Sequence, residues 1–67
     1  MSKIKKLILE CKDLNLHCSV TYQKITDFSV EIYKGYEKKY EKVYYTDGHS
    51  KINDAVKKAQ RFLNRSY

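Results

Sequence analysis

Sixty-seven residues make one domain, spanning 1–67, and a core this small supplies no more than about 3–5 kcal/mol of net stability. A hydrophobic share of 42%, seven tyrosines and clear periodicity exclude a disordered chain, and two cysteines without C-x-x-C spacing exclude a disulfide framework. The net charge of +6 points toward nucleic acid, anionic surfaces or acidic proteins, although lysine-rich, proline-free usage is also what a low-GC genome produces.

The N-terminal stretch MSKIKKLILECKDL places lysines ahead of an apolar run, as a signal peptide does. That run stops at Glu10, short of the roughly 7–15 apolar residues required, and no small-residue cleavage site follows. No segment approaches the ~20 apolar residues of a membrane span. The expectation is a soluble intracellular protein, acting in the cytoplasm.

Residues 3 to 14 read as a helix, with Ile4, Leu7, Ile8, Cys11 and Leu14 on one stripe and only Leu9 pointing away. Ser2 suits the N-cap, Asn15 the left-handed residue that ends the helix, and Leu16 the hydrophobic contact after it. From Leu16 the period becomes two. Leu16, Cys18, Val20 and Tyr22 alternate with His17, Ser19 and Thr21, and after a turn at QKITD, Phe28, Val30 and Ile32 alternate with Ser29, Glu31 and Tyr33. Cys11 and Cys18 fall on apolar faces and read as small core residues.

The stretch YEKKYEKVYYTDGHS, 36–50, suits a helix or a strand by its tyrosine spacing alone. As a helix it would stack like charges at i,i+4, each pair costing a few tenths of a kcal/mol. As the second arm of a hairpin turning near Glu37–Lys38, it sets Val43 against Ile32, Tyr45 against Val30 and Glu41 against Lys34, pairs worth about 0.2–1 kcal/mol each. The strand is favoured, ending at Asp47-Gly48. Ser50 then reads as the N-cap of a last helix whose Ile52, Ala55, Val56, Ala59, Phe62 and Leu63 fill one apolar sector, with Asp54 in its first turn.

The order α-β-β-β-α predicts an α+β fold of two layers: a three-stranded antiparallel meander with both helices on one face. The other face stays open and carries His17, Ser19, Thr21, Ser29, Glu31, Tyr33, Lys42 and Tyr44, with Tyr40 at its end.

Charge is unevenly placed. Residues 1–15 carry net +2, residues 16–49 net zero, and residues 50–67 five basic residues against one acid. Lys51, Lys57, Lys58, Arg61 and Arg65 occupy one sector of the last helix. They read either as a solvated face or as a phosphate-tracking stripe whose binding would fall with salt at a slope of about −4. Lysine gives little bidentate base recognition, so such binding is sequence-tolerant. On the open face, Tyr33, Tyr40 and Tyr44 beside Lys42 suit base stacking or a protein partner, and tyrosine is also an ordinary strand residue.

Nothing points to catalysis or to a cofactor. His17 and His49 with Cys11 and Cys18 match no zinc spacing, and Gly35 and Gly48 form no phosphate-binding loop.

The element order, the length and a basic final helix resemble the double-stranded-RNA-binding domain. The likeness is architectural: only Lys51 of GHSKINDAVKK lies where that family has its lysine cluster, and QKITD lacks its Gly-Pro-x-His-type loop. The small Lys- and Tyr-rich chain ending in YYTDGHSKINDAVKKAQRFL is also similar to accessory proteins of phages and mobile elements in low-GC Gram-positive bacteria, among them anti-CRISPR proteins. That resemblance implies inhibition by occupying a surface. The expectation is therefore a non-enzymatic binding protein acting on a nucleic acid or nucleoprotein machine. The alternative is a protein–protein or homodimerisation module using the open tyrosine-bearing sheet face.

Overall fold

The computed structural model describes residues 2–36 and 39–67. Its elements are α1 (Lys3–Asp13), β1 (His17–Gln23), β2 (Asp27–Tyr36), β3 (Lys39–His49) and α2 (Ile52–Ser66), the α+β order read from the sequence. The strands form one antiparallel sheet in the order β1-β2-β3. The ambiguous tyrosine stretch is strand from Lys39 onward and runs through Asp47-Gly48 to His49, past the end expected for it. The turn expected near Glu37–Lys38 lies outside the described residues.

α1 starts where the Ser2 hydroxyl accepts from the Lys5 N–H at 3.2 Å, and it ends before a left-handed Asn15 with φ 63°. The Leu16 N–H then reaches back to the Cys11 carbonyl at 2.8 Å, folding Leu16 onto the core. Ser50 does not cap α2. Lys51 holds the N-cap position without a side-chain bond, which leaves Asp54 to face the helix dipole.

Leu7 and Cys11 of α1, Val30 and Ile32 of β2, and Ala55, Val56, Ala59 and Leu63 of α2 are buried in a single cluster. One cluster reaching from one side of β2 to both helices puts both on the same sheet face, with α1 over β1 and α2 over β2 and β3. Cover is thinner at the margins than periodicity suggests. Ile8 is 50% exposed because α1 meets the core through Leu7 and Cys11, and Tyr22 is 59% exposed with its ring against Phe28.

The register of β2 on β3 holds the main departure from the sequence reading. At the hairpin end Lys34 faces Glu41 as expected, with an ion pair at 3.4 Å, and Tyr33 faces Lys42. One extra residue, Val43, then enters β3. Ile32 faces Tyr44 rather than Val43, and Val30 faces Thr46 rather than Tyr45. In this β-bulge both Val43 and Tyr44 pack against the helix-side core, so Tyr45 takes the open-side position. A second shift separates Val30 from Phe28, where Gly48 at φ 75° lets β3 bring His49 opposite Phe28. At Gly35, with φ 149°, a Cβ would run into the Lys39 carbonyl, so the hairpin needs glycine there.

Candidate nucleic-acid interface

The buried sector of α2 is Ala55, Val56, Ala59 and Leu63, which turns Lys58, Phe62 and Arg65, at four- and three-residue spacing, onto the flank beside β3. Phe62 is half-buried. Its ring stacks on Tyr44 with centroids 4.6 Å apart and planes 18° apart, and Tyr67 packs nearly perpendicular to it with centroids 6.1 Å apart. A stacked pair of this kind stabilises by about 0.5–1.5 kcal/mol beyond the area it buries. The Tyr44 and Phe62 rings line an open groove of about 280 Å3 that Lys58, Arg61, Arg65 and Ser66 complete. Tyr44, expected on the open face beside Lys42, is thus on the opposite side of the sheet. The bulge at Val43 moves it there.

Lys58, Arg61 and Arg65 are all exposed. The ion pairs among the described residues are Lys34–Glu41 and Lys42–Glu31, so none of them draws on α2. The groove therefore offers cations without paired carboxylates beside flat apolar rings. The other two residues of the expected stripe lie elsewhere. Lys57 neighbours Lys3 of α1, where partial loss of solvent and then the Lys57 ammonium lower the Lys3 pKa. Lys51 sits at the N-cap, the far end of α2 from Arg65.

The open face holds its charges differently. Tyr33 donates its hydroxyl to Glu31 Oε2, and the Lys42 ammonium lies 3.9 Å from Glu31 Oε1. That ammonium also sits 5.0 Å from the Tyr45 ring centre and 5.9 Å from that of Tyr33. Tyr45 donates to Asp47 Oδ2 at 3.1 Å. Both phenols have raised pKa values, Tyr33 chiefly through its bond to Glu31, and Tyr45 chiefly through partial loss of solvent and then its bond to Asp47. Toward the hairpin end Tyr40 meets His17 edge-on at 4.8 Å, and with Tyr33 they line a shallow hollow of about 280 Å3. A larger hollow of about 550 Å3 lies between the hairpin and the C-terminal ends of the helices; its Lys34 and Glu41 pair with one another, and Lys39, Tyr40 and Tyr67 also line it.

The cysteines and His49 are held within the fold. Burial, and then the neighbouring Cys18 thiol, push the Cys11 pKa up to about 12, and burial raises that of Cys18 too, which suits packing rather than nucleophilic attack. His49 bonds Thr46 at 2.8 Å within β3. Among the described residues no group of three His, Cys, Asp or Glu side chains is placed to hold a metal, and no helix is long and apolar enough to cross a membrane.

Two residues of these surfaces escape the sequence reading. Phe62 looks like plain core, although Lys58 and Arg65 at i−4 and i+3 mark it as the border of the apolar sector. Tyr45 is assigned inward, although the unbroken run Val43-Tyr44-Tyr45 already breaks strict alternation. In comparisons with protein-family models, curated proteins and solved structures, nothing matches the chain.

Proposed function

We propose that this chain is a small basic binding protein without chemistry of its own, which docks on nucleic acid, alone or within a nucleoprotein machine, through the flank of α2 that faces β3. The placement of Lys58, Arg61 and Arg65 around one groove, none of them in an ion pair with another described residue, is the observation that carries this reading. Cations already held by carboxylates gain little from a phosphate. Unpaired ones release the counterions condensed on the nucleic acid and turn that release into affinity. The likeness to phage accessory proteins gives the reading its most concrete form, an inhibitor of host defence that works by covering a nucleic-acid surface.

Fluorescence anisotropy with labelled oligonucleotides tests this across a salt series. Three phosphate contacts give a log–log salt slope of about −2 to −3. Binding that ignores salt, or no binding to any oligonucleotide, contradicts the proposal.

A second reading is supported by the open face, where Tyr40 and Tyr45 are 56% and 42% exposed beside the His17–Tyr33–Tyr40 hollow. Tyrosines of this kind anchor protein partners, including a second copy of the chain. Sedimentation and a pull-down with and without nuclease separate the readings. A salt-insensitive complex that survives nuclease and is lost in Tyr33→Ala or Tyr45→Ala favours the open face.

A further inference from the structure

We infer that the groove between α2 and β3 takes an unpaired nucleotide, with its base laid on the Tyr44–Phe62 stack and its flanking phosphates held by Lys58, Arg61 and Arg65. The inference rests on the nucleic-acid reading above and names its substrate class: single strands in preference to duplex.

The geometry of the rings is the first ground. Two six-membered rings 4.6 Å apart and 18° from parallel form a short stack, and a third flat ring extends it by meeting an outer face. A base within a duplex is already stacked above and below and shows a protein only its edges. An aromatic face in a groove is of use to a base that is unpaired.

The second ground is where the cations lie. Lys58 and Arg65 stand one helical turn before and after Phe62, and Arg61 adjoins it in the chain, so a strand running along α2 meets a cation on either side of the stacked base. Apart from the rings and the three cations, Ser66 is the remaining lining residue, and no Asp or Glu side chain is among them. The open face also has aromatic rings, but its Lys42 lies against Glu31 and its Tyr33 and Tyr45 hydroxyls are tied to carboxylates, which repel a phosphate. Of the two aromatic surfaces, the groove is the one whose charge complements a polynucleotide. Its chemistry serves a deoxyribose or a ribose strand equally.

The test compares four labelled ligands on the unaltered protein by anisotropy: a DNA single strand, the RNA strand of the same sequence, the DNA duplex, and a DNA single strand of equal length with abasic residues at its centre. A single strand should bind about tenfold tighter than the duplex, and the abasic strand should lose that advantage while keeping the same salt slope. A difference between the DNA and RNA strands identifies which is the natural source. An abasic strand that binds as tightly as its parent, or a duplex that binds as tightly as either single strand, overturns the base subsite and leaves phosphate binding by α2 standing. Failure of all four ligands removes the nucleic-acid reading itself, and the inference with it. Phe62→Leu, which keeps an apolar side chain at the seam, should lower single-strand affinity about tenfold with duplex binding unchanged. Circular dichroism checks its fold, and if it unfolds the abasic strand on the native chain still decides.

Discussion

On the helix side of the sheet Tyr44 lies against Phe62 with Lys58, Arg61 and Arg65 beside it, whereas on the open side its chain neighbour Tyr45 lies beneath the Lys42 ammonium and ties its hydroxyl to Asp47. Both are partly exposed aromatic surfaces with lysine nearby. They differ in what the charges already do. On the open side the Lys42 ammonium and the Tyr33 and Tyr45 hydroxyls each have a carboxylate partner, so a phosphate arriving there would have to displace one. On the flank of α2 the cations face solvent. Readiness to bind an anion follows from this difference in pairing, and a count of lysines or tyrosines on each face would miss it.

The contrast can be broken first at the level of the fold. Ile32→Ala, on the helix side of β2 and fully buried, should cost about 2–5 kcal/mol, comparable with the whole stability expected of so small a domain. Ser19→Ala on the exposed open side should change stability by less than about 0.5 kcal/mol in urea denaturation. Similar losses from both would mean that the open face is covered.

Charge reversal sharpens the contrast next. Lys58→Glu with Arg61→Glu and Arg65→Glu should lower nucleic-acid affinity about 100-fold at low salt and flatten the salt dependence, with little change in melting temperature because all three side chains are exposed. Lys42→Glu on the open face should leave affinity within about threefold, as a distant charge felt only through screened solvent.

The tyrosines themselves give a smaller effect. Tyr44→Ala removes the stack on Phe62 and part of the core's cover, and should lower stability by about 1–2 kcal/mol. Tyr45→Ala should lower it by no more than about 0.5 kcal/mol.

The last contrast is one of pH. The Cys11 thiol titrates near 9.0 when unfolded and at about 12 in the fold, so above pH 9 the unfolded chain releases a proton that the native state keeps. The contribution of this group is complete below pH 9 and declines as pH rises toward 12. Stability measured across that window should fall less steeply for Cys11→Ala than for the native chain.

Much of this fold can be read before any coordinates. The stripe of Leu7 and Cys11, the alternation around Val30 and Ile32, and the Lys34–Glu41 pair at the hairpin end each rest on local periodicity or on neighbours across one turn. The bulge is harder to see, because Val43, Tyr44 and Tyr45 are each acceptable on either side of a half-buried strand, so neither register carries an evident penalty. Gly48 within β3 is the clearer sign of irregular pairing, as glycine in a strand often marks a bulge. The groove needs both pieces of knowledge at once. Lys51 and the four basic residues of α2 are plain in the sequence, but the one-residue shift in β3 decides which tyrosine joins three of them.

The most direct measurement is a chemical-shift titration of isotopically labelled protein with a single-stranded oligonucleotide. The account predicts that the largest changes fall at Tyr44, Lys58, Arg61, Phe62 and Arg65, with ring-to-ring contacts between Tyr44 and Phe62 already present in the unbound protein. Changes centred on His17, Tyr33, Tyr40 and Tyr45, or Tyr45 in contact with Phe62 where Tyr44 should be, would contradict it.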